Sequence, residues 1–373
     1  MIIYYVVGLL AVAISYLPNY SRRPAISGLA HDRAMTVPSV LQAPSPKLRT
    51  PVFVLSVLLV VFAGIRYGIG SDYFLYTSLY RAIIPSSLTE SLKVVPQELG
   101  WVTLAFLFRK VTDSPYLILW IASVLTVVPA LIAVKRKSQD PVFAVFLYFF
   151  LGYYAVSFNA VRQSIAVSFL LLADTYRSES RVKWAIFSAV AILFHSSAIV
   201  AIIVQLAAAY WKPRWVSVLA SLVIAGAGSL ALLNSQIVGV LAVALNSRYE
   251  TYLEGSGAGL GTWMMFGVRL FFIILCLSLP RSRQTTTYLA YVCVSAMVLI
   301  LGTTYVVIAR FEPYFGIFLA LLIPNLLSEQ ARPIFRDLRW PLALGCLIYF
   351  GFYVTAFNRV VPYEVVPELS SLF

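Results

Sequence analysis

Residues 141–173 form one continuous apolar stretch that holds Asn159, Arg162 and Gln163 past its middle. As a single helix it would be about 50 Å long, against a bilayer hydrocarbon core of about 30 Å. An arginine at mid-membrane costs about 3 kcal/mol or more, so two helices meeting at the polar group are favoured over one helix with Arg162 inside it. The stretch predicts a membrane hairpin with a polar tip. Further apolar runs bounded by charge or proline lie near 1–17, 51–65, 115–134, 184–194, 196–211, 215–233, 263–279, 288–308, 314–327 and 340–357. The division between 184–194 and 196–211 falls at His195-Ser196-Ser197. With 61% apolar and 12% charged residues and a mean hydropathy of +0.87, the chain is far from the composition of a soluble enzyme. Its 373 residues accommodate about twelve crossings and no separate extramembrane domain. The expected fold is an all-α polytopic membrane protein in which 1–373 is a single membrane domain. The first apolar run has no Lys or Arg ahead of it, which reads as a retained helix rather than a cleaved signal peptide.

The net charge of +13 would suggest nucleic acid in a soluble chain, but here topology accounts for it and no nucleic-acid partner is expected. With the N-terminus outside, the connections 18–50, 135–140, 174–183, 212–214, 280–287 and 328–339 face the cytoplasm. They hold nearly all of the positive excess, as the positive-inside rule requires. The basic loop 18–50 either lies against anionic headgroups or is a solvated linker. Cys276, Cys293 and Cys346 stand singly in apolar runs, so neither a disulfide framework nor a metal site is expected. The same assignment sends the remaining ionisable residues to the outer face. Segment 66–114 carries Asp72 and Glu98 there, and 234–262 carries Arg248. One outward-facing polar cavity fed by several segments is the simplest expectation.

Five constellations would build it. In Arg66-Tyr-Gly-Ile-Gly-Ser-Asp72-Tyr73-Phe-Leu-Tyr76, Gly68 and Gly70 permit a tight turn presenting Asp72 beside Arg66 and two tyrosines. A carboxylate set among aromatic rings suits a base acting on a sugar hydroxyl, while an interfacial aromatic belt with a helix cap accounts for the segment equally well. Glu98 opens a short stretch to Phe108, an interfacial or re-entrant helix in which it serves chemistry or merely the helix N-terminus. Asn159, Arg162 and Gln163 share one face by helical spacing and offer amide donors around a fixed positive charge suited to diphosphate. His195 would donate to phosphate, relay a proton or satisfy a helix end. Last come Arg248-Tyr249-Glu250-Thr-Tyr252 and Arg310-Phe-Glu312-Pro-Tyr314, ordinary interfacial ion pairs singly but with Arg162 a site for a dianionic headgroup.

Three arginines without a metal cluster suit a lipid-linked diphosphate. Phosphate-loop and dinucleotide fingerprints are absent, so energy must come from an activated substrate already in the membrane, and a polyprenyl-diphosphate sugar qualifies. Tyr73, Tyr76, Trp101 and Tyr252 would stack on sugars while Asp72 or Glu98 takes the hydroxyl proton. No cofactor is expected.

The pieces R-Y-G-I-G-S-D-Y-x-x-Y (66–76), E-x-G (98–100), N-A-V-R-Q-S-I-A (159–166), F-H-S-S-A (194–198), R-Y-x-x-Y (248–252) and R-F-E-P-Y-F (310–315) occur in an order that resembles the EpsG family. Those are Wzy-type polysaccharide polymerases similar to GT-C glycosyltransferases. Gly70-Ser71-Asp72 stands where the family usually has G-T-D, and segments 18–50 and 340–373 add nothing to the likeness. The resemblance implies polymerisation of undecaprenyl-diphosphate-linked repeat units into O-antigen, capsule or exopolysaccharide. It implies a bacterial cytoplasmic membrane with the active site facing the periplasm or exterior, and a chain-length regulator and flippase as pathway partners. Asp72 would be the base, Arg162, Arg248 and Arg310 the diphosphate ligands and His195 a supporting donor. A glycan ligase using the same donor, or a lipid-linked glycan transporter, are the competing readings. The few polar residues on the inner half of the helices weigh against a transport path.

Overall fold

The computed structural model describes residues 1–20, 49–210, 260–302, 305–358 and 360–367, and these are almost wholly helical. Helices α1 (Ile2–Tyr20) and α2 (Arg49–Gly64) pack against each other, α1 also against α7 (Pro141–Phe150) and α2 against α6 (Tyr116–Lys137). Between α2 and α6 lie three short helices, α3 (Tyr73–Arg81), α4 (Leu88–Val94) and α5 (Leu99–Arg109). They help to enclose a second, smaller apolar core with Tyr76, Tyr80, Trp101 and Val102 inside it, to which Leu119, Ile165 and Phe194 from later helices also contribute.

Asp140 starts α7, its carboxylate accepting from the Phe143 amide at 3.1 Å with Pro141 at the first helical position. The path continues through α8 (Tyr153–Asn159), breaks at Ala160 (φ −110°, ψ 63°) and returns as α9 (Val161–Tyr176). Arg136, near the end of α6 where α7 begins, donates to Thr175 near the end of α9 at 3.1 Å. The chain thus reverses at the polar tip as expected for 141–173, with α9 packed on α6 and on the helix that follows it. Ser180 caps α10 (Arg181–Phe194), accepting from the Lys183 amide at 3.3 Å. Helix α10 stops at His195 and α11 (Ala198–Tyr210) starts after it, the break expected there.

The second half holds α12 (Leu260–Leu277), α13 (Arg283–Gly302), α14 (Val306–Ala309), α15 (Glu312–Gly316), α16 (Leu319–Ser328), α17 (Pro333–Asp337) and α18 (Arg339–Phe352). Helix α18 widens into a π-helical turn over Tyr353–Phe357. The chain then runs extended back to the segment after α2: the Tyr67 amide donates to the Glu364 carbonyl and the Val366 amide to the Ile65 carbonyl, each at 2.9 Å.

Among the described residues five helical stretches are long and apolar enough to cross a membrane: Tyr116–Lys137, Pro141–Asn159, Arg283–Gly302, Val307–Ser328 and Pro333–Phe357. Shorter apolar helices accompany them, including Ile2–Tyr16, Val52–Gly64 and Gly261–Leu277. The chain is thus a multi-pass, helical membrane protein, but the expected twelve full crossings are not recovered. With 16 and 14 residues, α9 and α10 are about 24 and 21 Å long, short of a 30 Å core. The run 288–308 ends its helix at Gly302. The run 215–233 lies outside the described residues, as does nearly all of 18–50 and 234–262.

Contacts at the helix ends sort into two sets. At one end Lys137 pairs with Glu179 at 2.6 Å, Asn325 donates to the Lys137 carbonyl at 2.8 Å, and Arg339 lies 3.7 Å from Asp140. There the connections rich in Lys and Arg meet. Residues 71, 98, 159, 162 and 195 gather at the opposite end.

Candidate active site

The segment after α2 turns sharply because Gly68 (φ +64°) and Gly70 (φ +102°) adopt left-handed backbone. A Cβ on Gly70 would overlap the Phe158 carbonyl oxygen, so the turn lies directly on the end of α8. There the Asn159 side-chain oxygen accepts from the Ser71 amide at 2.9 Å. Its amide nitrogen donates to both the backbone and side-chain oxygens of Asn358, whose own nitrogen donates to the Ala155 carbonyl at 2.9 Å. Asp72 follows Ser71 and begins α3, its carboxylate accepting from the Ser71 hydroxyl at 3.0 Å rather than from a helix amide.

Glu98 stands at the start of α5 with extended backbone, and its carboxylate caps no amide there. One carboxylate oxygen takes the Arg162 guanidinium, and the other lies 3.0 Å from Nδ1 of His195. Gly100 makes this possible, because a Cβ there would come within 2.6 Å of the Leu193 carbonyl oxygen at the end of α10. Arg162 also lies 5.9 Å from the centroid of the Tyr76 ring. Burial raises the pKa of the Tyr76 phenol and the neighbouring guanidinium opposes that shift, keeping a neutral donor beside the cation. Gln163 donates to the Arg310 carbonyl, and the Ser197 and Tyr314 hydroxyls meet at 3.1 Å.

These contacts surround a cavity of about 70 Å³ lined by Asp72, Tyr76, Arg162, Gln163, His195 and Arg310, with Ala160, Ser197 and Phe311. Glu98 sits behind it, holding two of the lining residues. Two cations, a half-buried carboxylate and several donors converge there from α3, α9, the α10–α11 break and the turn before α15.

Other expected site residues lie elsewhere. Arg66 is 2% exposed, its guanidinium donating to the Ala63 carbonyl and stacked 4.7 Å from the centroid of the Phe158 ring. The glycine turn reverses the chain between Arg66 and Asp72, so the arginine is drawn under the turn while the carboxylate faces the cavity. Tyr73 is buried edge-on against Tyr67 and Phe74, and burial pushes its phenol up to about 12. Trp101 is fully buried beside Tyr76, its ring centroid 4.9 Å from that of the tyrosine, and this burial leaves no face open to a sugar. Glu312 does not pair with Arg310. Its carboxylate accepts from Arg269 at 2.6 and 2.9 Å and from the Ser295 hydroxyl at 2.9 Å, inside the bundle. Asn159, Arg162 and Gln163 share no single helical face, because the break at Ala160 puts Asn159 on α8 and the other two on α9. Arg248, Tyr249 and Tyr252 lie outside the described residues.

Sequence reasoning passes over Asn358, Arg269 and the Ser197–Tyr314 pair. Arg269 carries a signal, being one charge within the apolar run 263–279. Asn358 carries none, since only the folded chain brings it to Asn159.

A family model matches residues 49–365. The chain belongs to the EpsG family. This is the family of Wzy-like polysaccharide polymerases. No curated protein and no solved structure matches the chain. The EpsG match reaches past the motifs of 66–315 to include Asn358 and the extended segment on Tyr67, so the likeness is wider than the motifs alone imply. Membership supports a polysaccharide polymerase role on a lipid-linked sugar.

Proposed function

We propose that this EpsG-family protein joins oligosaccharide repeat units by glycosyl transfer at the outer leaflet, taking each growing chain from an undecaprenyl-diphosphate carrier. The observation that carries this reading is the convergence of Arg162, Arg310, Asp72 and His195 on one cavity. In the proposed step, Asp72 takes the proton of the acceptor hydroxyl and that oxygen bonds to the anomeric carbon of the donor sugar. The bond from that carbon to the diphosphate oxygen breaks, and the diphosphate leaves with the bonding pair. Arg162 and Arg310 stabilise the departing charge, with Arg248 the third ligand of the proposal. Arginine suits this role because its planar fork matches phosphate oxygens and stays charged. Glu98 is engaged by Arg162 and His195, so its role is to hold these two in place, and Asp72 is the better-placed base. His195 donates to the diphosphate or to the acceptor from the cavity wall. Arg66, Tyr73 and Glu312 support the site from within the packing around it.

Purified protein in lipid nanodiscs, given a lipid-linked repeat unit, tests the reading. A ladder of products growing by whole units is expected. A single unit transferred to a different acceptor would replace polymerase by ligase, and movement of the lipid-linked glycan without bond formation would replace both by transport.

A further inference from the structure

The turn that carries Asp72 contains two left-handed glycines within three residues, and glycine has the most backbone freedom to lose on ordering. Such a turn holds a carboxylate in one place only if contacts from outside fix it. Beyond the packing of Arg66 and Gly70 on Phe158, the outside hydrogen bonds of the turn lead on two sides to Asn358 and residues 360–366. On one side, the amides of Tyr67 and Val366 bond the carbonyls of Glu364 and Ile65 at 2.9 Å, and the Tyr363 ring stacks on Phe62 at 4.3 Å and 7°. On the other, Asn358 accepts from Asn159, and Asn159 accepts from the amide of Ser71, the residue before Asp72. Asn358 is buried, and its side chain is used at both ends, donating to Ala155 while accepting from Asn159.

We propose that Asn358 and residues 360–366 form a strap that sets the position of Asp72, with Asn358 as its positioning residue. The strap ties the end of α18 to the turn and to the tip of the α8–α9 hairpin at once. It acts on the base through the backbone of Ser71 and needs no contact with substrate. Its effect on turnover rests on the reading of Asp72 given above, whereas its effect on the turn does not.

A nitroxide spin label on Ser71→Cys separates the two. Cys276, Cys293 and Cys346 are buried, so the introduced thiol is the accessible one among the described residues. In full-length protein in nanodiscs, Asn358→Ala is expected to sharpen the label's spectrum, reporting a loosened turn. Val366→Pro, which deletes the amide bonded to Ile65, is expected to do the same without touching Asn358. In unlabelled protein with native Ser71, Asn358→Ala should lower kcat at least about tenfold with KM for the lipid-linked donor unchanged, the sign of a misplaced reacting group. Spectra unchanged in both variants would overturn the strap. A loosened turn with kcat intact would uphold the strap and remove Asp72 as the base.

Discussion

Asp72 and Glu98 are both carboxylates at the same end of the bundle, and their surroundings give them different work. Asp72 faces the cavity, whereas Glu98 is held between a guanidinium and an imidazole. Asp72→Asn is therefore expected to lower polymer formation by about 10²-fold or more while the protein still inserts and purifies. Product length on gels, at matched protein amounts, checks this. Arg162→Lys keeps the charge but loses the fork that spans two oxygens, so weaker donor binding is expected, read as a raised KM. Arg269 and Glu312 call for a stability measurement instead. Arg269→Met alone leaves a carboxylate unpaired inside the bundle, and a loss of about 3–5 kcal/mol is expected. Arg269→Met with Glu312→Leu should regain most of it, as thermal unfolding in detergent would show.

At the scale of elements, the site depends on how closely backbones approach. Gly100→Ala sets a methyl group against the Leu193 carbonyl and so drives α5 from the end of α10, parting Glu98 from His195. Loss of activity with α5 and α10 still helical is the expected outcome, with circular dichroism and product length as the paired readouts. The helix breaks at Asn159 and His195 are legible from the sequence because polar side chains within apolar runs are too costly to leave in lipid. The glycine turn is legible for the same kind of local reason. Directions of side chains are not. Arg66 and Glu312 look alike in the sequence, each a charge beside an apolar run, yet both turn inward, Arg66 onto the Phe158 ring of α8 and Glu312 to Arg269 of α12. Arg269 shows as a charged residue in an apolar helix, but that its partner is Glu312, 43 residues on, follows only from how α12, α13 and α15 pack.

For the whole molecule, the sorting of contacts into a basic end and a cavity end sets the orientation to be tested. Cysteines at 310 and at 136 should react oppositely with a reagent that cannot enter cells, 310 labelling and 136 protected. The reverse pattern would place the cavity in the cytoplasm and end the outer-leaflet proposal. Among the described residues fewer helices than expected are long enough to cross, because apolar runs measure hydrophobicity, whereas crossing requires length, and α9 and α10 fall short. The grip of Glu98 on Arg162 also has a bearing on selectivity. In the proposed reaction Arg162 already carries a counter-ion, so an arriving anion competes with a tethered rival for its guanidinium rather than meeting bare positive charge. Weakly charged bystanders such as chloride compete poorly in that exchange, and a ligand bearing several negative oxygens on one headgroup has the advantage.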